Sequence, residues 1–365
     1  MAKSSPLVPE DPMEFTQFSF KPEKALEPEL EIVDPHHHVR DPVGRPRYLF
    51  QELLADLTSG HNIIATVAIE VGDMFRADAP PDLRPVGETE FLNGIAAMFA
   101  SGKYGKTLGC AGIVSFADLR LGDKVQRVLD AHIAAGGGRF RGIRMPGAYQ
   151  ESYAPARMKN RQAATGMVVP PHLLLDPGFR AGFACLGPRN LSFDVMVFHP
   201  QIPDLMDLAR AFPGTSIISN HYGVPLGLGP FAGKYKEVFV PWRAAVQKLA
   251  QCPNVFVKLG GLRKAGIAIP GYTVGEFGQY EVQPSSAELA QAWRPYIETC
   301  IEAFGPDRCM FESNFPPEKV VCNYVCIWNA FKRATTGYSA TERAALFSGT
   351  AARAYRLSLP KAVAS

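Results

Sequence analysis

Short apolar, β-branched runs alternate with longer amphipathic runs along most of the chain. The apolar runs predict eight strands, over Ile32–His38, Ile63–Val71, Leu108–Phe116, Phe140–Met145, Leu191–His199, Ser216–His221, Val255–Gly260 and Cys309–Asn314. The amphipathic runs predict helices over Gln51–Ser59, Glu88–Ser101, Asp123–Ala135, Ile202–Phe212, Pro241–Ala250, Ala287–Phe304 and Asn323–Thr335. Strands and helices in this order favour a (β/α)8 TIM barrel of the α/β class over a doubly wound open sheet.

The same pattern divides the chain into an N-terminal arm, residues 1–28, and a single barrel domain, residues 29–365. The arm is polar and rich in proline, and barrels of this length fold as one domain. Three long loops are predicted after strands, over Pro146–Pro177, Gly223–Val240 and Leu262–Ser286. Because such loops build the C-terminal face of a barrel, we expect them to form the walls and lid of a substrate site.

The composition of the chain limits the kinds of molecule that it is expected to bind. The chain has 365 residues, 47% of them hydrophobic, and a net charge of only +3 without a basic run. We therefore expect a small-molecule substrate, and neither nucleic acid nor membrane as partner. The chain has seven cysteines and no C-x-x-C pair. It also has no apolar stretch of the kind found in signal peptides or membrane-spanning helices, and together these features favour a cytoplasmic protein. Association into a homo-oligomer is open, because no surface can be singled out.

Two histidines end the first predicted strand. His36 and His38 are two residues apart, so both imidazoles project from the same strand face. A pair aimed in this way is the start of a metal site, and capping of a buried strand is the alternative. The pair alone does not decide between these two interpretations.

Nearly every predicted strand adds a charged or coordinating side chain near one end of the barrel. The candidates are His36, His38, Glu70, Arg141, Arg144, His199, His221, Lys258, Glu312 and Asn314. Each one alone is explained by a buried hydrogen bond or an ion pair. Burying so many charges together costs several kcal/mol per ion, so the complete set predicts an active site.

Six short motifs contain most of these residues: Asp34-Pro35-His36-His37-His38, Arg141-Gly142-Ile143-Arg144, Phe198-His199-Pro200-Gln201, Asn220-His221-Tyr222-Gly223-Val224-Pro225, Val257-Lys258-Leu259-Gly260-Gly261-Leu262 and Met310-Phe311-Glu312-Ser313-Asn314-Phe315-Pro316. In order and strand position they resemble the amidohydrolase superfamily, in its amidohydrolase-related branch of sugar-lactone and dicarboxylate-lactone hydrolases. The resemblance spans nearly the whole chain after the arm, and it is more specific for the superfamily than for one reaction.

The resemblance implies a divalent metal ion, zinc or manganese, on His36, His38, His199 and an aspartate that ends strand eight, with His221 nearby. It also implies an alternative without metal, because some lactonases of this branch work without one. This chain has Asn314 where the family has that aspartate. An amide is neither a general base near neutral pH nor a good zinc ligand, so metal and mechanism both stay open.

The residues around Asn314 suggest how the missing carboxylate is replaced. Glu312 lies two residues earlier on the same strand face, and it is either the general base or an ion-pair partner of Arg144 or Lys258. His221 is the candidate for assisting proton transfer. Lys258 either stabilises an oxyanion or pairs with Glu312 inside the barrel.

The remaining candidates are predicted to bind substrate. Arg141 and Arg144 are three residues apart and cannot both face inward on a regular strand, so Arg144 is preferred for a substrate carboxylate or carbonyl. Glu70 binds an arginine or accepts a substrate hydroxyl. Tyr222 is a weak acid or a packing wall. Relatives often carry aspartate at the position of Asn220, so the pocket suits a more apolar substrate than a sugar lactone.

Three functions follow from this reading. The leading hypothesis is an amidohydrolase-type enzyme that hydrolyses a small cyclic ester or amide, above all a lactone. The second is non-oxidative decarboxylation of an aromatic or unsaturated acid, in which an arginine holds the carboxylate. The third is a catalytically degenerate barrel that only binds a ligand, which Asn314 favours and the complete set of histidines opposes.

Overall fold

The computed structural model describes residues 22–42, 46–152, 168–275 and 278–359. Their eight strands form one parallel sheet in the order of the sequence. The strands are β1 (Glu31–His37), β2 (Asn62–Ile69), β3 (Leu108–Ser115), β4 (Phe140–Arg144), β5 (Ser192–Val195), β6 (Ile217–Ser219), β7 (Val255–Leu259) and β8 (Cys309–Phe311). The sheet closes where His37 forms a parallel bridge with Phe315, just after β8. The predicted TIM barrel is confirmed.

An α-helix follows each strand, as the barrel requires. These helices are α1 (Phe50–Leu57), α2 (Val86–Ala100), α3 (Gln126–Ala135), α4 (Pro177–Ala184), α5 (Ile202–Ala211), α6 (Tyr235–Leu249), α7 (Ser286–Phe304) and α8 (Tyr324–Ala334). Two short helices, α9 (Ala340–Ala344) and α10 (Thr350–Ala354), come after α8 and are joined by a π-helical segment. α4, α9 and α10 were not predicted; α9 and α10, of five residues each, are too short to show a clear helical period.

The core has two main parts and a small third cluster around Phe198. The larger lies between the helices and the outer faces of the strands, and its biggest fully buried side chains include Trp242 and Trp328. A smaller cluster joins strand residues such as Val33, Val67 and Met310 to residues of α10 and to Tyr355. The segment that contains α10 therefore packs against strand residues of a second, separate core.

Several predicted boundaries are wrong. Three strands end early, at Val195, Ser219 and Phe311, so His199, His221, Glu312 and Asn314 lie in the segments just beyond them. α6 begins six residues before the predicted start at Pro241, because its apolar stripe already includes Val238 one turn earlier. The last six residues of the predicted loop Gly223–Val240 are thus helical. Part of the predicted loop Pro146–Pro177 lies outside the described residues.

The described part of the N-terminal arm lies against α8. Asn329 donates to the Glu23 carboxylate at 2.9 Å and accepts from the Leu26 N–H at 2.8 Å. The buried Lys332 donates to the carbonyls of Leu26 and Glu27, both at 2.7 Å. Residues 1–21, the rest of the predicted arm, lie outside the described residues.

All seven cysteines are buried and unpaired, as expected for a protein without a disulfide framework. Within the described ranges, no helix has both the length and the apolar character needed to cross a bilayer.

Candidate active site

Glu312 lies at the centre of a buried cluster at the carboxyl ends of the strands. Its Oε1 is 2.6 Å from Nδ1 of His221, and its Oε2 is 2.7 Å from Nδ1 of His36. All three side chains are almost fully excluded from solvent. β1 and the segments just after β6 and β8 thus each bring one group to the same point, although the residues are up to 276 positions apart along the chain, from 36 to 312.

Protonation of this cluster follows from its burial. Burial raises the pKa of Glu312 to about 8, against the opposing effect of Lys258. Burial, followed by the charge of Lys258, holds the pKa of His36 well below its usual range. At neutral pH, His36 is therefore a neutral imidazole, which is the form that accepts a proton or binds a metal.

Two glycines after β7 make room for the cluster. A Cβ on Gly260 would lie 2.3 Å from the backbone oxygen of Glu312, and one on Gly261 would lie 2.4 Å from Nδ1 of His221. Gly261 also has a φ of +72°, which side-chain-bearing residues rarely adopt. His221 and Asn314 are themselves left-handed, with φ of 55° and 53°. Left-handed residues of this kind are rare and often mark functional sites.

Arg144 borders the cluster on one side. Its Nε donates to Oε1 of Glu70 at 2.6 Å, and its Nη2 donates to the Glu70 backbone carbonyl. Its Nη1 lies 3.3 Å from Nε2 of His36. Of the two roles predicted for Glu70, the geometry therefore supports binding an arginine.

Lys258 borders the cluster on the other side. Its Nζ is 2.8 Å from Oδ1 of Asp194 and 3.2 Å from Nδ1 of His36. Lys258 and Asp194 are both fully buried. Its ion-pair partner is therefore Asp194, and the predicted pairing with Glu312 is replaced by this contact.

Asp194 and Tyr355 are members of the site that sequence reasoning missed. Oδ1 of Asp194 also accepts from the Tyr355 hydroxyl at 2.7 Å and from Asn220 Nδ2 at 3.1 Å. A signal for Asp194 was available, since it is a carboxylate inside the apolar run that forms β5. Tyr355 had no such signal, because it lies far beyond the last strand.

The histidines predicted as metal ligands do not all meet. His38 packs edge-on against His36, with ring centroids 5.0 Å apart, and its Nδ1 is 2.8 Å from the carbonyl of Ile69. His199 accepts from the Leu226 N–H at 3.4 Å, and burial lowers its pKa to about 4. Within the described ranges, the grouped ligand atoms are instead those of His36, His221 and Glu312, which all lie within 4.8 Å of one another. His199, four residues beyond the end of β5, lies outside this group.

The other predicted residues are placed as follows. Arg141 donates to the carbonyls of Gly138 and Phe140, next to the amino-terminal end of β4, so the structure does not bring it into the cluster. Tyr222 is fully buried in the larger core and accepts a hydrogen bond from Trp242 at 2.7 Å through its carbonyl, which supports the packing alternative.

Asn314 donates through Nδ2 to Oε1 of the buried Glu318 at 3.0 Å. Its side chain is thus a donor to a carboxylate, as its amide chemistry predicts, and is not itself an anion.

Comparison with known proteins agrees with this geometry. The amidohydrolase family model, Amidohydro_2, matches residues 33–357. This range contains all eight strands except the first two residues of β1. The chain belongs to this amidohydrolase family. The y4mH protein of Sinorhizobium fredii, described as uncharacterized, is 33% identical over 350 residues, covering 90% of this chain and 99% of that protein.

Two further proteins are similar to this amidohydrolase, one in sequence over half of the chain and one in fold. An L-fucono-1,5-lactonase of Burkholderia multivorans is 31% identical over 186 residues, covering 51% of this chain and 58% of that enzyme. A crystal structure of an amidohydrolase from Burkholderia multivorans, with zinc bound, superposes with a TM-score of 0.65 at 24% identity, covering 90% of this chain and 99% of that one. At that identity the likeness is one of fold.

Proposed function

We propose that this amidohydrolase hydrolyses a small cyclic ester, most specifically a lactone. The observation that carries the proposal is the buried contact of Glu312 with both His36 and His221, bordered by Arg144 and Lys258. It combines proton acceptors with fixed cations, which are the groups that ester hydrolysis needs. The partial likeness to an L-fucono-1,5-lactonase supports the lactone in particular.

Glu312 and His221 act as the proton-transfer pair. The ionised form of Glu312, which its raised pKa makes a stronger base, takes a proton from water as the water oxygen bonds to the lactone carbonyl carbon. His221, whose Nδ1 is 2.6 Å from Glu312, relays that proton to the ring oxygen as its bond to the carbonyl carbon breaks. The product is one hydroxy acid, and the enzyme returns to its starting protonation state.

Arg144 and Lys258 stabilise the charge that develops on the carbonyl oxygen. Both are cations held by buried carboxylates, Glu70 and Asp194, so they are already oriented before substrate binds. Fixed charges in a water-poor site stabilise an oxyanion more than mobile solvent does. They also favour an acidic substrate or product group in the same pocket.

A divalent metal ion fits the donor set of His36, His221 and Glu312. Two imidazoles and one carboxylate are the ligands of a known class of catalytic zinc site that leaves one position for water. An ion held there supplies a water of lowered pKa and polarises the carbonyl. Zinc bound to the Burkholderia multivorans amidohydrolase supports zinc as the ion to test first.

The experiment tests a panel of γ- and δ-lactones that includes L-fucono-1,5-lactone, and measures hydrolysis as the release of protons into a weak buffer. We expect turnover by the wild type and a loss of about 100-fold or more in Glu312→Gln, since general acid–base groups contribute that much. Glu302→Gln, an exposed change on α7, is the matched control and keeps full activity. Elemental analysis of wild type and His36→Ala reports whether zinc is bound.

Two results would contradict this proposal. Carbon dioxide release from aromatic acids, with silence toward every lactone, would favour decarboxylation. No turnover of any ester or acid, but a rise in melting temperature with one of them, would favour a binding protein.

A further inference from the structure

We infer that Tyr355 is a positioning residue of the proposed active site: its hydroxyl fixes Asp194 and thereby holds Lys258 against His36. The inference rests on the proposed function for its effect on catalysis. It adds to the site a segment that lies beyond all eight barrel strands.

Tyr355 lies in the segment just after α10, and its side chain packs in the smaller core. It is fully buried with Ala351 and Ala354 among strand residues that include Val33, Val67 and Ile218. The aromatic ring thus packs on apolar strand residues, while its hydroxyl reaches a carboxylate of β5. A residue that served only for packing would not need this polar end.

The Tyr355 hydroxyl and the Lys258 ammonium group contact the same carboxylate oxygen of Asp194. Oδ1 of Asp194 lies 2.7 Å from the Tyr355 hydroxyl and 2.8 Å from Lys258 Nζ. Asn220 Nδ2 donates to this oxygen as well, at 3.1 Å. Within the described ranges, the other oxygen of Asp194 has no hydrogen-bond partner. The orientation of the carboxylate is therefore set by three donors at one atom, and Tyr355 is one of them.

Tyr355 also contacts Lys258 directly. Lys258 Nζ lies 5.2 Å from the centroid of the Tyr355 ring, within the range of a cation–π contact. Burial, followed by the charge of Asp194, holds the pKa of the Tyr355 hydroxyl well above its usual range, so it remains a donor. A lysine stem has four rotatable bonds, and these two contacts restrict where its ammonium group lies.

The alternative is that Tyr355 only fills the interior of the barrel. Both interpretations predict some loss of stability when the hydroxyl is removed. Only the positioning role predicts that Lys258 moves and that kcat falls while KM changes little. Tyr355→Phe keeps the ring and its packing, so it separates the two interpretations.

The experiment compares wild type and Tyr355→Phe by crystal structure and by lactone kinetics. We expect Lys258 Nζ to leave its contact with His36 and kcat to fall about 10- to 100-fold, the usual effect of residues that orient an active-site group. If the wild type hydrolyses no lactone, the proposed function fails, and the position of Lys258 still decides this inference. An unmoved Lys258 overturns it, whatever the activity.

Tyr48→Phe is the matched control. Tyr48 donates to Asp56 at 2.6 Å, Asp56 pairs with Lys319 at 2.7 Å, and Lys319 Nζ lies 5.0 Å from the Tyr48 ring. This is the same tyrosine–aspartate–lysine arrangement outside the cluster, and we expect kcat to be unchanged. Should Tyr355→Phe fail to fold, 4-fluorophenylalanine at position 355, which fills the space of the hydroxyl without donating a proton, replaces it, with the same displacement of Lys258 expected and the same unmoved Lys258 as the contrary result.

Discussion

Removing the charge of Lys258 should destabilise the protein strongly. Lys258 and Asp194 are both fully buried and 2.8 Å apart. At an effective dielectric constant near 20, unit charges at that distance attract by about 6 kcal/mol. Lys258→Met forfeits this attraction and leaves the buried Asp194 carboxyl without its ion-pair partner; among the described residues, Tyr355 and Asn220 remain as its donors. Measured losses for breaking one half of such a pair are about 3–5 kcal/mol, which is the expected fall in the free energy of unfolding.

A double-mutant cycle tests the cause. Urea unfolding at pH 7, followed by circular dichroism, is measured for Lys258→Met, Asp194→Asn and the double variant. Each single change leaves one charge unpaired, whereas the double variant leaves none. We therefore expect the double variant to lose less than the sum of the single losses, with a coupling of about 1–3 kcal/mol.

The Lys319–Asp56 pair supplies the control for burial. Its atoms are just as close, 2.7 Å, but the side chains are 20% and 16% exposed. Lys319→Met is expected to cost at most about 1 kcal/mol, because water screens a partly exposed pair. A loss in Lys258→Met no larger than in Lys319→Met, or strictly additive losses in the cycle, would refute the argument from burial.

Two further predictions concern stability away from the cluster. His132 donates from Nε2 to the Phe116 carbonyl at 3.0 Å, and burial lowers its pKa from 6.5 to about 4. Between these pH values the unfolded chain binds a proton at His132 and the folded protein does not. The free energy of unfolding therefore falls as the pH drops from 6.5 to 4, by at most about 3 kcal/mol for this group. In urea titrations, His132→Gln should reduce this dependence of stability on pH, and an unchanged dependence would count against the argument. Gly182→Ala places a Cβ 2.0 Å from the Leu119 carbonyl, whereas Gly94→Ala meets nothing within 4 Å. We expect the first to lower stability by about 1–3 kcal/mol and the second, inside α2, to raise it by about 0.5–1 kcal/mol, with equal melting temperatures as the contrary result.

Much of the fold was determined by the sequence alone. Apolar runs of strand length, each followed by an amphipathic run, are local patterns, and their order restricts the topology to very few folds. The identity of the strand-end residues followed as well, because side chains two apart share a face. For this reason His36, Arg144, His221, Lys258 and Glu312 were all found from the chain itself.

Only the tertiary structure decided which of these residues meet. Periodicity defines the face of a strand, but it does not define the stagger between strands or the path of the chain after a strand ends. His199 lies outside the group although His221, which also follows a strand that ends early, lies within it, and Arg141 remains near the amino-terminal end of β4.

The identity of the ion-pair partner of Lys258 was also decided by the tertiary structure, for the same reason. Asp194 lies 64 residues away from it, and Tyr355 comes from a segment with no strand at all. Contacts of this kind form only when the barrel closes and its interior is filled, and no local pattern encodes them.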